Sequence, residues 1–246
     1  LDREGLLIEG FDQMSTFEEQ YNHEYYASLI EDYGFKKEVD WVEYRIFPKF
    51  IERERLLKIA NFAKEKLKVH IVGQELSKKA YIKKYGPAIF EVLDECYKEL
   101  YGTVPFTDEI RQNVINNFNL VLNKDYIVTI ADENENIIAF GILLPGIGEA
   151  LQKSGGRMTI PTIIKLLKTI KNPKVLDMAL IGVLPRYRKH GLNAYMLTIL
   201  QDMLMKNEVE YLETNLNLET NVNVQSQWRY FEKIQHKRRR AFIKKI

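Results

Sequence analysis

The chain has 246 residues, 36 basic against 34 acidic side chains for a formal charge of +2, and 46% hydrophobic positions. That length buries one large core or two modest ones, and the balanced charge excludes a global attraction to nucleic acid or an anionic membrane, so any anion site has to be local. One cysteine, Cys96, excludes an intrachain disulfide and fits a reducing cytoplasm. No apolar run approaches the ~20 residues of a membrane span, which excludes stable membrane insertion.

The opening LDREGLLIEGFD lacks the basic start and long apolar middle of a signal peptide. The chain starts at Leu1 in what reads as the middle of a fold, so it is expected to be a fragment of a longer protein. After a short apolar run at Leu6 to Ile8, YNHEYYASLIEDYGFKKEVDWVEYRIF reads as a helix stopped by Gly34, then a strand alternating through Val42, Tyr44 and Ile46 that Pro48 closes. IERERLLKIANFAKEKL is a charged amphipathic helix, which divides the chain into 1–47, a connecting helix at 48–66, and 67–246.

From Leu67 the strand KVHIVG leads to two helices, about 79–101 and 107–121, and then to a hairpin of DYIVTIAD and IIAFGILLP turning through Glu133 to Asn136. Cys96 lies in the first of these helices with no base beside it in sequence and reads as core or helix-face filler. An insertion follows, with a flexible joint at Gly155-Gly156 and an amphipathic helix carrying Ile163, Ile164, Leu166, Leu167 and Ile170. Three readings stay open for it: a packing helix, a lid over an acyl or acceptor site, and a membrane-surface helix favoured by Lys165, Lys168 and Lys171.

The strand VLDMALIGVL comes next, then a helix over 192–206, the strand EYLETNLN, a helix over 222–234 and a last strand in RRAFIKKI. The order is β-α-α-β-β-β-α-β-α-β, an α/β (α+β) pattern without solenoid repeats or low-complexity tracts. The basic run HKRRRAFIKK alternates into that last strand and reads as a solvated edge rather than a nucleic-acid surface. His23, His70 and His236 show no metal-ligand spacing, so no metal is expected.

The chemistry concentrates where VLDMALIGVL runs into the helix after it, through Val183, Pro185 and Arg188-Lys189-His190-Gly191-Leu192-Asn193-Ala194. A strand entering a helix this way presents free backbone N–H groups with the positive end of the helix dipole behind them, which suits a pyrophosphate. Gly191 admits phosphate oxygens close to the backbone, and Arg188, Lys189 and His190 add local charge. An ordinary connection with solvated basic residues is the alternative.

V-x-P-x-Y-R-x-x-G at a strand end, in this order of elements, resembles motif A of the GNAT acetyltransferase superfamily over about residues 67–246. The resemblance implies a mostly antiparallel central sheet flanked by helices and acetyl-CoA or another acyl-CoA as co-substrate. Leu180, Ile181, Gly182 and Val183 would pair with the pantetheine arm, and a backbone N–H there would hold the developing oxyanion. Asn193 departs from the family's Gly/Ala, with Ala194 just after it.

Asn221, Val224 and Trp228 match the family's N-x-x-A-x-x-x-Y spacing, but with Trp228 where a tyrosine often protonates the departing thiolate; Tyr230 lies on another face. Asn221 is also a good helix N-cap. The base for the attacking amine is sought in Asp177 and Glu213, with Glu149 and Glu219 as loop alternatives, and Asn215 and Asn217 share the face of Glu213. The opening segment resembles the last helix and strand of another GNAT unit through Asn22, Tyr25, Leu29 and Gly34-Phe35, as in bacterial proteins with two GNAT-like halves.

The expected activity is acyl transfer from an acyl-CoA to a primary amine, small or on a peptide. The alternatives are an acyl-CoA-binding module without turnover and a scaffold or nucleic-acid-associated protein acting through its basic terminus.

Overall fold

The computed structural model describes residues 5–16 and 18–245. Its strands are β1 (Leu6–Glu9), β2 (Lys36–Phe50), β3 (His70–Ile71), β4 (Ile127–Ala131), β5 (Ile137–Pro145), β6 (Val175–Val183), β7 (Tyr211–Thr214), β8 (Asn217–Leu218) and β9 (Phe231–Ile243). Its helices are α1 (Tyr25–Asp32), α2 (Arg53–Leu67), α3 (Lys78–Tyr97), α4 (Asp108–Phe118), α5 (Gly148–Lys153), α6 (Ile160–Lys171), α7 (Leu192–Lys206) and α8 (Val222–Gln225). The architecture is mixed α/β, a mostly antiparallel sheet flanked by helices. Two compact units divide the chain: residues to Ile51 with Gly146–Asp177 and from Val209 onward, and Glu52–Pro145 with Met178–Glu208.

In the first unit β1, β9, β2 and β7 lie side by side in that order, and β8 pairs β2 beyond β7. Residues 39–44 of β2 are buried on both faces, as befits a central strand, and two of them are acids. Each acid meets cations from β9. Glu43 takes Lys237 (2.8 Å) and Arg239 (2.9 Å) on one face, and Asp40 takes Arg240 (2.8 Å) and Arg238 (3.4 Å) on the other. The alternation of β9 therefore sorts its basic run by face.

The structure departs from three expectations. The run HKRRRAFIKK is no solvated edge: β1 pairs one side of β9 and β2 the other, and Lys237 and Arg239 are fully buried. Pro48 does not close β2, which continues to Phe50; the missing N–H is absorbed by a register shift between Ile46 and Phe50. The helix expected over 222–234 is one turn, α8, followed by a 3-10 turn at Ser226–Tyr230, because from Phe231 the backbone pairs with β2 instead.

In the second unit β6, β5, β4 and β3 are neighbours. The β4–β5 hairpin turns where expected: the Asp132 carboxylate accepts the N–H groups of Asn134 (2.9 Å) and Asn136 (3.0 Å), and Glu135 adopts a left-handed φ of 62°. Tyr81, Tyr85, Phe90 and Leu93 of α3 pack with Phe140 in one core cluster, while Leu192 and Met196 of α7 pack with Val69, Ile130 and Ile138 in another. α2 lies along α7.

Candidate functional site

β6 ends at Val183 and reaches α7 through a 3-10 turn at Pro185–Tyr187 and the link Arg188–Gly191. The Tyr187 hydroxyl donates to Asp132 Oδ2 (3.1 Å), tying this link to the hairpin turn. Burial pushes the Asp132 carboxyl up, but the donors from Asn136, Asn134 and Tyr187 outweigh it and hold the carboxyl below its usual range. Lys189 and Gly191 are left-handed, φ 64° and 85°. A Cβ on Gly191 would lie 2.9 Å from Ala63 Cβ and 3.3 Å from Ile59 Cγ2, so α2 fills the space that the glycine leaves.

With glycine as its N-cap, α7 receives no side-chain acceptor, and its first-turn N–H groups stay available to a ligand. Arg188, Lys189 and His190 are exposed around that terminus, Asn193 is half-buried, and Leu192 and Ala194 anchor the turn in the core. The Arg188 guanidinium turns back toward the strand: Nε donates to the Val183 carbonyl (3.0 Å) and Nη2 to the Cys96 carbonyl (3.5 Å).

The strand edge itself carries a contact that sequence reasoning missed. The Tyr97 hydroxyl donates to the Ile181 carbonyl (3.1 Å) and accepts its N–H (3.4 Å), so one side chain serves both main-chain groups of that residue. Burial pushes the Tyr97 phenol up to about 12, keeping it protonated. Cys96 is equally close: a Cβ on Gly182 would lie 3.2 Å from its Sγ. Burial raises the Cys96 thiol too, with Arg188 opposing, so this thiol is no ready nucleophile. Under the strand, Gly141, Met178, Leu180, Ile181, Met196 and Leu200 help to line an apolar cavity of about 30 Å³.

The predicted bases lie in the first unit. Glu213 faces Arg45 across the β2–β7 pair, with Oε1 2.9 Å from Nη2, and Oε2 stands 2.5 Å from His236 Nε2. Burial raises its carboxyl, but His236, Lys237 and Arg45 outweigh that and leave it below the usual range. Asp177 moves the other way: burial, then the charges of Glu18, Glu213 and Glu43, drive it well above the carboxylate range despite Lys237. Burial and Glu19 raise Glu18 to about 7. Glu149 pairs with Lys153, and Glu219 with Lys37 (2.8 Å), so both alternatives already hold cations.

Asn215 falls in the break between β7 and β8, its Oδ1 buried. Asn217 donates to Val42 O (3.2 Å) and Thr214 Oγ1 (2.9 Å), and its Oδ1 accepts the indole N–H of Trp228 (3.1 Å). Trp228 is buried with that N–H spent, and Asn221 caps α8 by accepting from Val224 N–H (3.3 Å). Among the described residues no group of three or more His, Cys, Asp or Glu side chains could hold a metal ion, and no helix is long and apolar enough to cross a membrane.

No family model matches the chain. It is 25% identical over 252 residues to Protein YghO of Escherichia coli (strain K12), a match covering 98% of this chain and 62% of that protein, so the chain spans less than two thirds of this relative. Among solved structures, 88% of the chain superposes on 22% of a fungal multi-domain β-N-acetylglucosaminidase that contains a GCN5-related glucosamine N-acetyltransferase region, with TM-score 0.53 and 13% identity. The chain has the GNAT fold. Weaker likenesses are to a GCN5-related N-acetyltransferase from Sphaerobacter thermophilus (TM-score 0.48, 11% identity, 87% of this chain and 55% of that one) and to a tandem GNAT protein of clavulanic acid biosynthesis (0.47, 13%, 93% and 61%).

Proposed function

We propose that this GNAT-fold chain transfers an acyl group, acetyl as the first choice, from an acyl-CoA to an amine. The link from β6 into α7 carries the reading: two left-handed residues, an uncapped helix start and three exposed basic side chains suit a pyrophosphate. Leu180 to Val183 would pair with the pantetheine, and Arg188 would exchange its carbonyl partners for phosphate. The small apolar cavity beside Leu180 and Ile181 suits a short acyl group better than a long one.

In the reaction the amine nitrogen attacks the thioester carbonyl, the C–S bond breaks, the amine gives up a proton and the thiolate gains one. A backbone N–H of β6 holds the oxyanion. Glu213 is the preferred base over Asp177, since His236, Lys237 and Arg45 keep its carboxyl ionised while burial and neighbouring acids keep Asp177 from ionising. Trp228 cannot protonate the thiolate, and the Tyr97 hydroxyl already donates to the Ile181 carbonyl with its phenol pushed up to about 12, so water supplies that proton. The acceptor is a small amine or peptide, the compartment cytoplasmic, and the transferase lies in 67–246 completed by β2, lent by a preceding GNAT-like unit.

A second reading keeps acyl-CoA as a ligand without turnover; the buried, bonded indole of Trp228 at the position of the family's tyrosine favours it. Calorimetric titration with acetyl-CoA tests both. Binding should weaken at least tenfold when Lys189→Glu and His190→Glu reverse the charge of the link, two exposed changes that spare the packing of Gly191. Thiol release with an amine panel should fall roughly a hundredfold in Glu213→Gln with binding kept. Binding with no thiol release by the parent chain selects the second reading; no binding at all removes both.

A further inference from the structure

We propose that α6 docks this protein on an anionic lipid surface. α6 is a well-formed helix of 12 residues: the Thr159 side chain accepts from Thr162 N–H, and Pro161 occupies the first turn, where no N–H is needed. Thr162 and Leu166 are buried, and the helix packs against α5. At 100° per residue, Ile160, Ile163, Ile164 and Leu167 form a separate stripe about the far side. That stripe faces outward, with Ile160 76%, Ile164 62% and Leu167 55% exposed, and Met158 just before the helix is exposed too.

Four large aliphatic side chains on one helix face exceed the scattered apolar residues of an ordinary surface. The surrounding charge says what they meet. From Ala150 to Val175 the sequence holds six cationic residues and no acid. Glu149, just before, is taken by Lys153. Lys165, Lys168 and Lys171 are exposed: at the same angular step Lys168 flanks the stripe, Lys171 closes its C-terminal end and Lys165 lies farther round on that side. An apolar stripe bordered by lysines is the form that lies in the plane of a bilayer surface, side chains in the acyl boundary and ammonium groups among anionic headgroups.

A second copy fits worse: two-fold pairing of this face would bring like charges together. Nucleic acid would use the lysines but give the aliphatic stripe nothing to enter. The preceding loop leaves room for such an approach, since Gly155 and Gly156, φ 59° and 74°, have nothing within 4 Å of where a Cβ would stand.

Co-sedimentation of the purified chain with vesicles tests this directly. Binding is expected to phosphatidylglycerol–phosphatidylcholine vesicles, falling with added salt, and not to phosphatidylcholine alone; that comparison needs no variant. Replacing Lys165→Gln, Lys168→Gln and Lys171→Gln together should weaken partitioning roughly a hundredfold. Ile164→Ser with Leu167→Ser should abolish it, with melting temperatures held as the control on folding. Absence of binding to anionic vesicles, or binding that both variants retain, overturns the proposal. A doubled mass in solution that the serine variant halves, without vesicle binding, assigns the face to a second copy instead.

Discussion

Glu43 is one carboxylate held between two buried cations, with no water-exposed surface on any of the three. Arg239 also meets Glu19 at 3.5 Å, but among the described residues Lys237 has Glu43 alone as its ion-pair partner, so neutralising Glu43 strands a buried ammonium, and the cost is set by desolvation rather than by the lost attraction. Glu43→Gln is therefore expected to lower stability by about 3–5 kcal/mol in urea unfolding. Adding Lys237→Met to that variant should recover part of the loss, because it removes an orphaned cation; a double variant no better than the single would mean that the lysine finds another anion. An exposed pair such as Arg55 with Glu52 should give less than about 1 kcal/mol when broken. None of this was legible in the sequence, where the basic run looked solvated because its partner lies 196 residues away. Tyr97 was hidden for the same reason: an aromatic near the end of an amphipathic helix carries no local sign that its hydroxyl will meet the backbone of Ile181.

Elements specified by local chemistry were legible, and those made by distant pairing were read incorrectly. The Asp132–Asn136 turn, the α7 start at Gly191 and the stop of α1 before Gly34 follow from turn and cap residues, and the structure has all three. The rest depends on β2. It pairs β9 over almost its whole length and also meets β7 and β8, which explains both why Pro48 is tolerated and why the chain from Phe231 is strand. Its Trp41, Val42, Tyr44 and Ile46 are core residues of the first unit. A chain restricted to residues 67–246 would expose the β2-facing edges of β7 and β9 together with the unpaired cations Lys237 and Arg239. It is expected to be unfolded or aggregated by circular dichroism and sedimentation. Supplying residues 1–66 as a separate chain on co-expression should restore a soluble complex. A cooperative thermal melt from 67–246 alone would show that β2 is dispensable.

For the whole molecule, the shifted carboxyls divide by the direction of their shifts. Asp40, Glu213 and Asp132 are held low, Asp40 because Arg240 and Lys37 outweigh its burial, so their contributions are present at neutral pH and are lost only as the pH falls through those low values. Glu18 and Asp177 are held high, chiefly by burial. For a carboxyl raised in the folded state, stability is fully present below the ordinary value and is lost as pH climbs through the raised one. With Glu18 the window runs from 4.5 to about 7. Over all but the acid edge of that window the low group is already ionised in both states, so the raised pair sets the slope. The melting temperature should therefore fall between mildly acidic and neutral pH, with Glu18 contributing up to about 3 kcal/mol of the change. Glu18→Gln, which cannot ionise, should flatten that part of the profile and be the more stable form at pH 8 while differing little at pH 5. A parallel profile for the variant would mean that Glu18 is ionised in the folded state throughout, and the slope would then belong to Asp177, to be read from the same measurement on Asp177→Asn.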